Sequence, residues 1–283
     1  MAERQATASN ELNEALALVT KATGVNLGQY LPQALQAGLQ TRKAAAELPP
    51  GTRYLDRLRT DPNECQALLD AMAINVTSFF RDPLTYELIA EVVLPDLISR
   101  SERAGSSELR MWSAGCATGE EPCSLVMLAR EALWKCNRRD WSCLVFGTDI
   151  DEHALTVARA GQYCRSQLAN VRLGLLDRYF TDLGDQFKVC DDVRGAVQFA
   201  RDDLTQTRRL APAASVFGTF DLVLCRNVLL YFSPELRRSV LARLSKTIRQ
   251  GGYLVLGDTE FLDPATATHF KVVHPSARIF KKR

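Results

Sequence analysis

Gly115 and Gly119 stand four residues apart and are followed at once by Glu120 and Glu121, within the stretch "MWSAGCATGEEPCS" from Met111 to Ser124. An apolar run enters this stretch and a helical pattern leaves it, which predicts a strand, a glycine loop and a helix start. Such a junction usually receives a phosphate at the helix N-terminus. Two carboxylates there would repel one. The pattern is neither G-x-G-x-x-G nor a P-loop. Glutamates also suit the positive end of a helix, and Thr118-x-x-Glu121 has the spacing of a capping box. Capping does not account for the glycines. A ligand carrying a cation accounts for both features: the glycines allow close backbone approach, and a glutamate receives the ammonium or sulfonium-bearing group.

A second acidic pair follows in "VFGTDIDEH", where Asp149 and Asp151 end an apolar run. In an open α/β sheet, an acidic residue at the carboxyl end of the second strand can accept ribose hydroxyls. One aspartate can also cap the helix that starts near Glu152. Both roles can hold, with Asp149 on the sugar and Asp151 at the cap. A nucleoside bearing an amino-acid tail fits the two acidic sites and needs no P-loop; S-adenosylmethionine is such a molecule.

These residues need elements to hold them. From residue 10 to about 75 the chain reads as helices, with Leu12, Leu16 and Val19 on one face before Gly24, and Leu31, Leu35 and Leu39 on another. After Phe79-Phe80, short apolar runs alternate with helical stretches. Strands are predicted over 109–114, 143–148, 196–200, 220–225 and 252–257. Helices are predicted over "EEPCSLVMLAREAL", "DEHALTVARAG" and "SPELRRSVLARLSKTIRQGG". That alternation predicts a doubly wound α/β sheet. The end, "FKVVHPSARIFKK", predicts an antiparallel hairpin around Pro275 on the edge of the sheet. The expected division is a helical N-terminal domain over 1–75 and an α/β domain over 76–283.

Composition narrows the classes. The 283 residues are 46% hydrophobic and 24% charged with a formal net charge of +2, an ordinary globular balance. No basic run or face marks a nucleic-acid binder. No run of eighteen apolar residues suggests a membrane span. The start, MAERQATASN, lacks the apolar core of a signal peptide, so a cytoplasmic protein is expected. Eight cysteines form no C-x-x-C pair, and the three histidines lie outside zinc-ligand spacing, so no metal is expected.

Five segments taken together, "INVTSFFRDP", "WSAGCATGEEPCSL", "GTDID", "FDLVLCRNVLLYF" and "GGYLVLGDTE", resemble the chemotaxis-receptor methyltransferases, the CheR family. The likeness runs from about residue 12 to the C-terminus. It implies an S-adenosylmethionine-dependent protein-glutamate O-methyltransferase acting on the cytoplasmic helical domain of chemoreceptors. The implied fold is a small helical domain followed by a methyltransferase domain carrying a small antiparallel subdomain, here about residues 178–199. Carried over by position, Asn75, Thr77 and Arg81 line the cofactor pocket. Glu121, in preference to Glu120, holds the methionine amino group, and Asp149 takes the ribose. Asp203-Leu204 and Arg226-Asn227 close the adenine and methionine sides, and Arg81 and Tyr231 stand nearest the transferred methyl.

Three departures from the family pattern bear on partners. Asp203 stands where asparagine is frequent. The second helix is weakly basic, with only Arg42 and Lys43 at its end, which moves expected docking toward Arg53, Arg57 and Arg59. The 178–199 stretch is short and has one glycine, Gly184, so no dependence on a receptor-tail pentapeptide is expected. The chain is expected to be a monomer. The competing readings are a methyltransferase for another carboxylate acceptor and a cofactor-binding regulatory module without turnover. Intact Arg81 and Tyr231 argue against the second. The missing dinucleotide fingerprint argues against nicotinamide chemistry.

Overall fold

The seven residues Glu108–Ala114 form a strand in which all but the first are buried. Alternation sends Leu109 and Met111 to one face and Arg110 and Trp112 to the other. Leu109 and Met111 join a core with Leu125, Val126 and Val145. On the opposite face the Trp112 ring packs on Phe220, and Phe146 meets Phe220 edge to face. A strand apolar on both faces belongs at the centre of a covered parallel sheet, and that is its place.

The computed structural model describes residues 2–28, 30–46, 53–72, 77–206, 210–212, 215 and 218–283, with side chains from residue 10. By its contacts the chain divides into two units. One is Met1–Ile74 with Tyr231–Arg237, and the other is Asn75–Leu230 with Arg238–Arg283.

The first unit contains α1 (Ala2–Thr23), α2 (Pro32–Ala45), α3 (Tyr54–Thr60) and α4 (Pro62–Met72). Leu12, Val19, Leu35 and Leu39 are buried as the spacing predicts, and Gly24 follows α1 in the left-handed region at φ +75°. One carboxylate organises the middle of this unit. Glu64 of α4, 2% exposed, accepts from Arg42 at 2.7 and 2.8 Å and from the Tyr54 hydroxyl at 2.9 Å. Arg57 Nε lies 3.2 Å from it. Lys43 pairs with Glu11, and Arg59 pairs with Glu14 and Asp56. Of the arginines at first expected to face a partner, Arg57 and Arg59 are thus engaged inside the unit, while Arg53 is exposed.

The second unit begins with α5 (Pro83–Leu88), a π-helical turn and α6 (Leu94–Arg103). There follow β1 (Glu108–Ala114), α7 (Glu120–Lys135), β2 (Ser142–Asp149), α8 (Glu152–Ala160), β3 (Gln162–Cys164), α9 (Leu173–Tyr179), β4 (Phe180–Asp182) and β5 (Gln186–Val189). The remaining elements are α10 (Asp191–Gly195), β6 (Val197–Arg201), β7 (Phe220–Cys225), α11 (Pro234–Thr247), β8 (Ile248–Leu256), α12 (Pro264–Ala267), β9 (Phe270–His274) and β10 (Ile279–Lys282). The first residues of α11, Pro234–Arg237, count with the first unit.

Among the described residues the large sheet runs β6-β2-β1-β7-β8-β10-β9. Its first five strands are parallel, and β10 and β9 complete it antiparallel. The doubly wound sheet and its antiparallel edge therefore stand as predicted. Two details differ. The predicted helix reaching Gly252 stops at Thr247, because β8 starts at Ile248 with no loop between. The small antiparallel sheet, ordered β3-β5-β4, takes in β3 from upstream of residue 178. Strand order reverses between β1 and β7, and ligands of such sheets bind outside the carboxyl ends of the strands at that point.

Candidate active site

The carboxyl end of β1 leads into Gly115 and that of β7 into Arg226, with Ser113 opposite Leu224 in register. The glycine loop is tied to β2 by Gly115 and Cys116, whose N–H groups donate to the Thr148 carbonyl at 2.7 and 2.9 Å. The glycines prove to serve the protein before any ligand. Gly115 lies at φ +80°, and a Cβ there would come within 2.3 Å of Val228 Cγ2. Gly119 lies at φ +92°, with Ala158 and Phe199 closing on the same space. Gly119 is also the N-cap of α7 and no side chain caps it. Thr118 Oγ donates to Glu120 instead, at 2.7 Å, so the capping box with Glu121 does not form.

The two glutamates point to different partners. Glu120, fully buried, accepts from Gln167 Nε2 at 2.6 Å as well as from Thr118. Glu121, 9% exposed, accepts from Ser113 Oγ at 2.8 Å and lies 3.4 Å from Arg226 Nη1. Arg226 donates in turn to Asp82 and lies over the Tyr86 ring at 5.5 Å. Among the described residues its Nε and the Tyr86 hydroxyl are buried and find no hydrogen-bond partner. Burial raises Glu121 above the usual carboxylate value, with Arg226 opposing. Burial also raises Glu120 and Asp149.

Asp149 closes the other acidic corner. One of its oxygens accepts from the Ala117 N–H at 2.8 Å and the other from the Asp151 N–H at 3.0 Å. Asp151 caps α8 by accepting from the His153 and Ala154 N–H groups. The division of labour between the aspartates thus leaves Asp149, 8% exposed, at the end of β2 beside the glycine loop. The exit of β6 lies next to it, because the Asp202 N–H donates to the Asp149 carbonyl at 3.0 Å. Asp203 and buried Leu204 follow directly. Asp203 accepts from the N–H and hydroxyl of Thr205.

Half-buried Arg81 sits in a segment bolted down on both sides. The Phe79 N–H donates to the Gln167 carbonyl at 3.0 Å, and the Phe80 N–H to Ser124 Oγ at 3.2 Å. Phe79 and Phe80 are core residues. Asp82 pairs with Arg226. Thr77 is half-buried at the start of this segment. Asn75 lies outside the described residues. Tyr231 counts with the first unit, where its carbonyl accepts from the Leu31 N–H at 2.8 Å.

Backbone strain concentrates here. Of the six non-glycine residues with positive φ among the described residues, Phe80, Asp82, Ala117 and Asn227 belong to these loops. Each costs on the order of 1–3 kcal/mol and persists only where the surroundings enforce it.

Four residues that hold these loops carry no local sequence signal. The Tyr163 hydroxyl donates to the Thr118 carbonyl at 2.8 Å, and Gln167 bridges Glu120 to Phe79. Arg243, buried in α11, donates to Asp202 and to the Asp203 carbonyl. Glu260, 2% exposed, receives backbone N–H groups from the Asn227 loop. Glu260 lies in the "GGYLVLGDTE" stretch, but nothing in its spacing gives it this role.

The donor set fits a nucleoside with a cationic amino-acid tail. A desolvated carboxylate at Glu121 suits an ammonium, Asp149 suits hydroxyl donors, and the unpartnered Arg226 Nε suits an anionic group. Among the described residues no cluster of His, Cys, Asp or Glu could hold a metal, and no helix is long and apolar enough to cross a membrane.

Comparison with known proteins follows the same lines. The model of the CheR methyltransferase SAM-binding domain matches residues 75–279, and that of the CheR methyltransferase all-alpha domain matches residues 10–73. Chemotaxis protein methyltransferase 1 of Pseudomonas aeruginosa is 34% identical over 270 residues, covering 92% of each chain. A chemotaxis protein methyltransferase of Borreliella burgdorferi is 28% identical, over 89% of this chain and 88% of its own. An uncharacterized 104.1 kDa protein of Rhodobacter capsulatus is 37% identical over 84% of this chain; the match spans 24% of that longer protein. Among solved structures, magnesium protoporphyrin IX methyltransferase from Synechocystis with bound SAM covers 70% of this chain and 79% of its own at 18% identity. Its TM-score is 0.35, too low a likeness to carry an argument.

Proposed function

The chain belongs to the CheR methyltransferase family and is an S-adenosylmethionine-dependent methyltransferase, and from that premise we propose that it methylates glutamate side chains on the cytoplasmic helical domain of chemoreceptors, in chemotaxis signalling. The observation that carries the reading is the pair of desolvated carboxylates, Glu121 in the first turn of α7 after β1 and Asp149 at the end of the adjacent parallel strand β2. They match the two ends of the methyl donor.

When bound, S-adenosylmethionine supplies an electrophilic methyl group on a sulfonium. The acceptor carboxylate is ionised at neutral pH, with a reference pKa of about 4.3, so no general base is required. Its oxygen forms the new C–O bond as the C–S bond breaks and the electron pair stays on sulfur. An anion and a cation become two neutral products. Charge thus disappears toward the transition state, which a site with few exposed polar atoms favours. Proximity and in-line alignment contribute on the order of 7–11 kcal/mol in well-oriented systems.

In this reading Asn75, Thr77 and Arg81 line the pocket. Glu121 holds the amino group, Asp149 the ribose, Asp203-Leu204 the adenine side and Arg226-Asn227 the methionine side. Arg81 steers the acceptor carboxylate through its fixed fork of donors without binding it so tightly that it loses nucleophilicity. Tyr231 steers it through its hydroxyl. Acceptor docking in this reading does not depend on a C-terminal pentapeptide; the short β4–β5 hairpin, with the Leu183 N–H donating to the Gln186 carbonyl at 2.8 Å, supports it. Tight binding of a receptor-tail pentapeptide in calorimetry would refute that last point.

The deciding experiment is transfer of radiolabelled methyl from S-adenosylmethionine to receptor-enriched membranes from the same cells, with Arg81→Ala as control. Base-labile label released as methanol, and lost in the variant, is the expected result. Tight cofactor binding without base-labile transfer would favour another acceptor or a regulatory module.

A further inference from the structure

The loop after β7 is held by a single carboxylate. Glu260 follows β8 and is 2% exposed. Its Oε1 accepts from the Val228 N–H at 2.9 Å and the Leu230 N–H at 3.2 Å. Its Oε2 accepts from the Asn227 N–H at 3.1 Å and the Gly257 N–H at 2.7 Å. Four main-chain donors thus converge on two oxygens.

That count fixes what Glu260 can do. An ionised carboxylate offers about four acceptor sites, and all four are taken by the protein. Glu260 therefore has nothing left to offer a ligand and can act only through the loop it holds. The loop needs such a holder. Asn227 sits at φ +59°, a conformation unfavourable to most side chains. A Cβ on Gly257 would lie 2.8 Å from Glu260 Oε2, 2.9 Å from Asn227 N and 3.0 Å from Asn227 Nδ2. Gly257 is thus the gap through which the end of β8 and the Asn227 loop approach. Val228, held by the same carboxylate, fills the space above Gly115 where a Cβ would stand. The carboxylate therefore sets the spacing between the ends of β1 and β7, the two strands at which the order reverses.

We propose that Glu260 is a positioning residue for methyl transfer: its carboxylate presets the Asn227 loop in the cofactor-free protein, so that Arg226 and Asn227 meet S-adenosylmethionine without rearranging. This rests on the function proposed above for those two residues. A glutamine cannot substitute, because it has one carbonyl oxygen and its NH2 would face two N–H donors. Aspartate keeps the charge but is one methylene shorter.

The test uses the full chain and S-adenosylhomocysteine, whose binding does not depend on the acceptor. In Glu260→Gln the dissociation constant rises about tenfold or more, matching two lost hydrogen bonds in a charged set. The KM for S-adenosylmethionine rises with it, while the KM for the acceptor changes less than about threefold. Glu260→Asp loses less than Glu260→Gln. A glutamine variant with native circular dichroism, a cooperative melt and wild-type affinity would overturn the proposal. If the variant does not fold, the wild-type protein still decides. Hydrogen exchange at Asn227, Val228 and Leu230 in the cofactor-free state is expected to be slowed about a hundredfold or more relative to an open loop. Exchange at open-loop rates would overturn the preset loop. Failure of the wild type to bind S-adenosylhomocysteine would instead count against the proposed function, and amide protection would still test the holder.

Discussion

Arg243 and Asp202 form a buried ion pair, with Arg243 Nη2 lying 3.1 and 2.8 Å from the two carboxylate oxygens. Their side chains are 2% and 10% exposed. The same guanidinium donates to the carbonyls of Asp203 and Leu210, at 3.0 Å each. It thus fixes the chain where β6 gives way to the proposed adenine side. Arg243→Met breaks the buried pair from one side and is expected to cost about 3–5 kcal/mol. The double variant with Asp202→Leu regains most of that stability, because an apolar pair replaces the ionic one. It does not regain affinity, because the Asp203 carbonyl still lacks the guanidinium and keeps only the Gln206 N–H at 3.1 Å. Urea denaturation and titration with S-adenosylhomocysteine separate the two effects.

The two aspartates of "TDID" are expected to separate cleanly. Asp151→Ala removes the cap of α8 and costs about 1 kcal/mol of stability, with cofactor affinity within about twofold of wild type. Asp149→Ala loses cofactor binding by about tenfold or more, as expected for hydrogen bonds to a charged acceptor. Equal affinity losses in the two variants would remove Asp149 from the ribose role.

Acidity provides a third test. Burial raises Glu121, so the folded cofactor-free protein keeps this proton to higher pH than the unfolded chain. The folded state then binds more protons across that window. The contribution is fully present below the unfolded value of 4.5 and is lost as pH rises through the folded value. An ammonium needs the carboxylate form. Cofactor affinity should therefore rise with pH over the same window, with release of a proton. Calorimetry in two buffers of different ionisation enthalpy reads that proton, and Glu121→Gln should remove its share. Glu120 and Asp149 are raised too, so the difference between wild type and variant is the quantity to measure.

Gly119→Ala combines a left-handed backbone with a Cβ only 2.7 Å from Ala158 Cβ and 3.0 Å from Phe199 Cζ. Strain and overpacking together predict a loss of about 2 kcal/mol or more. The loss should appear in denaturant unfolding without cofactor. A stable variant would show that the loop can relax away from α8 and β6.

The parts of this protein legible in its sequence are those governed by local pattern. Continuous apolar runs marked β1, β2 and β7 because a strand covered on both faces has little room for polar residues. Asp151 was legible because a cap and its helix are neighbours. The end of α11 was not, since β8 follows without a turn residue until Gly251. Thr118 fitted a capping box by spacing, but the left-handed Gly119 takes the cap position and turns the hydroxyl to Glu120. Glu260 and Arg243 were invisible as holders because their partners lie about thirty to forty residues away. Long-range hydrogen bonds to backbone leave no periodicity to read.

The helical unit holds one further consequence. Arg42, Lys43, Arg57 and Arg59 each already face a carboxylate of their own unit. An acidic receptor surface approaching them would be competing for cations and not meeting idle ones. Recognition there would be an exchange of counter-charges with small net attraction, governed by shape and weakly sensitive to ionic strength. Docking in this way would give little long-range pull toward an acidic partner, and no strong electrostatic grip to break on release.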